Sequence, residues 1–191
     1  MARWEPDARE RMVVAAVDLF TEQGYDETTV AQIAERAGVT RSTFFRHFSD
    51  KREVLVAGQE TLSTLLAEGI AQAPAGATAL EAVAQGLRRA SEVMGAANRE
   101  RGPRIQAAVE ASAELQERDA LKSVGLAAAM HGALVERGVA ETTAHLAAEL
   151  GVLAFKIGFA RWTEDPSVDV ALADLAIIAL DELRTTAASL T

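Results

Sequence analysis

Apolar residues recur along this chain at helical rather than strand spacing. Between Asp7 and Gln23, the positions Val13, Ala16, Val17 and Phe20 share one helix face, and Gly24 follows where a left-handed residue would close the helix. Thr29-Val30-Ala31-Gln32 reads as a capping box, because a hydroxyl and a side-chain amide satisfy backbone N–H groups left open at a helix start. A short helix is predicted from there to Ala37. Gly38 permits a sharp turn, Val39 plugs it, and Thr40 is a good cap for a third helix through His47.

The pattern lengthens after this head. Asp50 and Glu53 are expected to cap a long helix running through Val54, Leu55, Leu62, Leu65 and Leu66 to Ala71, broken by Ala73-Pro74-Ala75-Gly76-Ala77. Thr78 and Glu81 form a second capping box, opening a helix with Leu80, Val83, Leu87, Ala90 and Met94 on one face. Residues 98–102 read as a loop, with Pro103 in the first turn of a helix carrying Ile105, Ala108 and Val109 toward Leu115. Another helix is predicted over Leu121–Glu136, ending near Gly138.

Residues 142–163 carry two apolar stripes. Leu146, Leu150, Leu153 and Ile157 form one, while Val152, Phe155, Phe159 and Trp162 form a second about half a turn away. Asp165 and Pro166 are expected to open a last helix with Leu172, Leu175, Ile178, Leu180 and Leu183. A helix that is apolar on two faces needs cover on both. The pair is expected to bury one face within its own subunit and the other against a second copy, in a four-helix interface of Leu146, Leu150, Leu153, Ile157, Leu172, Leu175 and Ile178. A helix buried centrally in a monomer fits the same pattern. The prediction is an all-α chain of about nine helices: a three-helix head over 1–52 and a larger helical bundle over 53–191.

Composition narrows the possible chemistry. The 191 residues include no cysteine, which removes disulfides and thiolate metal sites and suits a reducing cytoplasm. The opening MARWEPDARERM lacks a signal peptide's apolar run, and the longest greasy stretch, Leu146–Trp162, is interrupted by Glu149, Lys156 and Arg161, so no membrane span is expected. No G-x-S-x-G elbow, P-loop, G-x-G-x-x-G or H-E-x-x-H occurs and the three histidines are isolated, so no catalytic residue, metal or cofactor is expected. A formal net charge of −9 fits DNA poorly, yet residues 36–52 set Arg36, Arg41, Arg46, Lys51 and Arg52 against Asp50 alone. A basic footprint sits on an acidic chain.

Two short helices joined by a tight turn make a helix-turn-helix, which lays its second helix in the major groove. The stretch TTVAQIAERAGVTRSTFFRHFSDKREVL, Thr28–Leu55, resembles the head of the TetR family of bacterial regulators through Ala34, Gly38, Val39, Thr43, Phe44, Phe45, His47, Phe48 and Lys51.

The resemblance implies a ligand-responsive DNA-binding regulator, most simply a repressor that sits as a homodimer on a palindromic operator and is released by a small, mostly hydrophobic effector. Arg41 is then the first candidate for reading a guanine edge, with Thr43 meeting a thymine methyl or a phosphate and Ser42 allowing close approach. Thr29 and Thr40 cap helices beside the DNA backbone, which Arg46, His47 and Lys51 would line. Phe45 stands where the family often has tyrosine, which leaves it only apolar contact. The effector cavity implied by the resemblance would draw on Leu62, Leu66, Leu87, Met94, His131, His145, Phe155, Phe159 and Trp162. The competing reading is a helical ligand-binding or interaction protein without DNA binding.

Overall fold

The structure is a computed structural model that describes residues 8–164 and 169–190. Among the described residues the regular elements are all helical. They are α1 (Ala8–Gln23), α2 (Val30–Arg36), α3 (Arg41–His47), a three-ten turn η1 (Glu53–Val56), α4 (Gln59–Ala71), α5 (Ala79–Ser91), α6 (Ala96–Ala111), α7 (Ala113–Glu136), α8 (Glu141–Glu164) and α9 (Leu172–Ala188).

Local chemistry explains most of the boundaries. Thr29 accepts from the Gln32 amide while the Gln32 side chain accepts from the Thr29 amide, and Thr78 with Glu81 repeats the exchange at α5. Gly24 and Gly38 adopt φ of 85° and 67°, a left-handed geometry that L side chains rarely take.

Three expectations are corrected. Asp50 does accept from the amides of Arg52 and Glu53, at 2.8 and 3.1 Å, but the helix it caps is the single turn η1. Gly58, at φ 93°, then breaks the backbone before α4 begins at Gln59. Residues 98–102 are helical, with Pro103 inside α6. Packing overrides the breakers here: Arg99 Nε donates to the Trp162 carbonyl at 2.6 Å, and Gly102 sits so close to α8 that a Cβ on it would lie 2.6 Å from Thr163 Cγ2. α7 starts at Ala113 rather than Leu121, because Leu115 alone among polar neighbours is buried there. The predicted opening of the last helix at Asp165 and Pro166 lies outside the described residues.

Two compact units result. The first takes residues up to Ala57 together with Arg104–Ala120, and the second takes Gly58–Pro103 with the residues from Leu121 onward. The first unit packs Met12, Ala16, Phe20, Ile33, Phe44, Phe48 and Val54 into one core, which Ala108 and Leu115 complete. Joining 104–120 to the head is a non-local contact that a boundary after residue 52 does not anticipate.

In the second unit α4 packs on α5, α8 on α9, and α5 on both α8 and α9. Missing side chains permit the closest approaches. A Cβ on Gly69 would stand 2.6 Å from the Gln85 carbonyl oxygen, and one on Gly158 would stand 2.6 Å from the backbone nitrogen of Ala176. By length and composition alone α8 resembles a membrane span. Its Ala144, Ala147, Ala148, Val152 and Ala154 are nevertheless buried in the core of this unit.

Candidate nucleic-acid interface and effector cavity

The head's core fixes which face of α3 is presented. Phe44 is fully buried and Phe48 nearly so, with their rings 5.5 Å apart, so the other side of this two-turn helix faces outward. That side carries Arg41, Ser42, Phe45, Arg46 and His47, all exposed, with Thr43 half-buried. Phe45 is 51% exposed, an unusual position for a large apolar ring. Thr40 Oγ1 accepts from the Thr43 amide at 3.1 Å and lies 2.9 Å from the Thr43 hydroxyl, so the two threonines form a preset polar pair at the start of the helix.

The basic footprint proves unequal once its partners are counted. Arg36 makes a two-pronged contact with Glu22 at 2.9 and 2.8 Å, which holds the Glu22 carboxyl below its ordinary range. Arg52 bonds Asp50 at 2.6 Å and Glu114 at 3.3 Å. Lys51 Nζ donates to the carbonyls of Tyr25 at 2.7 Å, Thr28 at 3.0 Å and Asp26 at 3.4 Å, and lies 3.9 Å from the Tyr25 ring centroid. The direct phosphate contact expected of Lys51 differs from this geometry, which engages the ammonium inside the head. Of the five cations in residues 36–52, Arg41 and Arg46 make no hydrogen bond or ion pair among the described residues, and both lie on α3.

Sequence reasoning also passed over Arg9. It is exposed, with its guanidinium 5.5 Å from the Phe48 ring centroid. Lying in the first turn of α1, outside the basic segment, it gave no signal in the charge pattern.

In the second unit, a cavity of about 740 Å³ opens where α5 ends, α6 begins and α9 begins. Met94, Arg99, Trp162 and Leu172 line it, with Arg88, Ser91 and Glu92 at the end of α5. Of the residues expected to line an effector cavity, Met94 and Trp162 do so. Leu62, Leu66, Leu87 and Phe155 instead fill the core, and Phe159 stacks between Phe155 and Trp162, at centroid distances of 6.2 and 5.8 Å. His131 and His145 form an edge-to-face pair at 6.0 Å, with His131 Nε2 3.1 Å from Glu141 and His145 exposed. Ring chemistry suited these residues to a ligand, but bulk and periodicity do not separate a cavity wall from a filled core.

The two stripes of α8 separate in the structure. Val152, Phe155 and Trp162 are buried, whereas Leu146 and Leu153 are 58% and 44% exposed and Leu150 and Ile157 half-buried. On α9, Ile178 is 49% exposed and Leu175 half-buried. Leu172 departs from the expected set: at 3% exposure it belongs to this subunit's core and the cavity wall.

A short helix held outward by a tight turn, with uncommitted arginines on its free face, defines a helix-turn-helix protein. Residues 13–57 match the model of the bacterial regulatory proteins of the tetR family, and the chain belongs to that family. It is 38% identical over 80 residues to the transcriptional regulator TcmR of Streptomyces glaucescens, a match covering 42% of this chain and 35% of that one. It is 40% identical over 48 residues to the transcriptional repressor BepR of Brucella suis, covering 25% of this chain and 23% of that one. These sequence matches span about a third or less of the relatives' lengths. A TetR-family regulator from Syntrophomonas wolfei shares the fold over 95% of both chains, with a TM-score of 0.62 at 21% identity.

Proposed function

We propose that this protein is a ligand-responsive transcriptional regulator, a repressor that binds a palindromic operator in duplex DNA as a homodimer in the cytoplasm. The observation that carries the reading is the distribution of partners. Of the five cations in the basic segment, the two left uncommitted lie on the exposed face of α3. Arg41 reads a guanine edge through its planar fork and Arg46 holds a phosphate. Ser42, Thr43 and Phe45 approach the groove floor, while Thr29, Thr40 and His47 sit beside the backbone.

A dimer places two such helices about 34 Å apart, one turn of the duplex. Leu146, Leu150, Leu153, Ile157, Leu175 and Ile178 supply its interface, because an exposed apolar stripe spanning two helices needs cover. The cavity beside Met94 and Trp162 takes the effector, a small molecule with an apolar body. Its binding favours a conformation whose heads no longer match the operator spacing. The reading assigns no catalysis, metal or cofactor.

Selecting bound sequences from a random duplex pool tests it, with and without extracted metabolites. Recovery of a two-fold symmetric sequence is expected, and a pool that shows no enrichment at low ionic strength overturns the reading.

A further inference from the structure

We infer that Lys51 is an internal latch that sets the position of α3, rather than a contact to the DNA backbone. This rests on the DNA-binding reading above for its consequence, though not for its geometry.

The turn between α1 and α2 begins at left-handed Gly24, and its carbonyls at Tyr25, Asp26 and Thr28 converge on one point. Convergent carbonyl dipoles repel one another unless a cation sits at their focus. The Lys51 ammonium occupies that focus, and its three N–H donors are matched by three carbonyl oxygens. The Tyr25 ring closes the remaining side at 3.9 Å, itself 5% exposed and 5.2 Å from Phe20. No donor of this ammonium remains for a phosphate.

Lys51 follows α3 by four residues, with the Phe48 cap between them. Anchoring it to the α1–α2 turn fixes the exit of α3 against a segment more than twenty residues away. Thr28 is buried at the same point and donates to the Gly24 carbonyl at 2.7 Å, so the anchor is itself held rigid. An exit allowed to drift would tilt the helix and move Arg41 off its base. Lys51 is thus a positioning residue for base reading.

Lys51→Met and Lys51→Arg in the full chain separate the possibilities. The probes are the best-bound duplex from the random pool and a shuffled duplex of equal composition. A latch predicts that both variants lose about tenfold in the ratio of selected to shuffled affinity, because a planar guanidinium cannot reproduce three convergent bonds. It also predicts an unchanged salt slope on the shuffled duplex. A phosphate contact predicts that Lys51→Met flattens the salt slope by about 0.9 while Lys51→Arg restores both slope and ratio. That result would overturn the proposal, as would variants that unfold at lower temperature yet keep the full ratio when folded. Should the wild-type chain bind no duplex, the DNA-binding reading fails, and amide exchange at residues 25–28 then tests the latch: faster exchange in both variants supports it, and unchanged exchange overturns it.

Discussion

Arg104 on α6 donates to Asp18 on α1 at 2.6 Å, tying a segment from the middle of the chain to the first helix of the head. Ala108 and Leu115 follow it into the same core. Arg104→Ala should loosen residues 104–120 from the head with a small loss of global stability, because both side chains are partly exposed and solvent screens the pair. Hydrogen exchange checks this: faster exchange is expected in α1 and around residues 104–115, and unchanged protection there would show that the apolar contacts suffice.

Arg41→Ala should cost about 1–3 kcal/mol of operator affinity and relax the preference at one base position. A binding-site selection repeated with the variant reads this directly. An unaltered consensus would remove Arg41 from base reading.

Leu153→Glu places a charge on the exposed stripe of α8 and should convert the dimer to a monomer while the helical content stays the same. Light scattering with circular dichroism measures both. A wild-type chain that is already monomeric ends the dimer proposal.

Gly158→Ala should destabilise the second unit by about 1–3 kcal/mol through overpacking, because the new methyl would meet the backbone of Ala176 rather than a side chain that can turn away. Chemical denaturation gives the magnitude. Gly132→Ala is the control, since a Cβ there meets nothing within 4 Å.

Asp50 links the head to acid. Partial burial pushes its carboxyl upward, but the bond from Arg52 and the amides of Glu53 and Arg52 outweigh it and hold the group below its ordinary value of 3.8. A lowered folded-state value adds stability that is present above 3.8 and is lost as the pH falls through the folded value. Asp50→Asn should therefore flatten the stability of the head between pH 5 and pH 2, as followed by thermal melting across that range. An identical pH profile in the variant would contradict the assignment.

The parts that were legible in the sequence are those governed by neighbours in the chain. Thr29 with Gln32, Thr78 with Glu81, and the glycines at 24, 38 and 138 each act within a few residues, so the head and several helix ends could be read directly. The two faces of α8 were legible because periodicity alone reports them. Gly58 escaped notice because a lone glycine in an apolar pattern looks tolerable until its φ is known. The loop expected at 98–102 became helix because Arg99 and Gly102 are anchored on α8 sixty residues further on, which no local rule reports. The role of Lys51 was hidden for the same reason: its charge is visible in the sequence, but the carbonyls it faces are not.

The economy of free cations on the head governs how long the protein lingers on DNA. With Arg36, Lys51 and Arg52 engaged internally and the chain as a whole anionic, few counterions are released on random sequence, so irrelevant sites hold the protein weakly and let it go quickly. Residence then becomes long only where base edges match, and rising salt erases stray binding before it touches the operator.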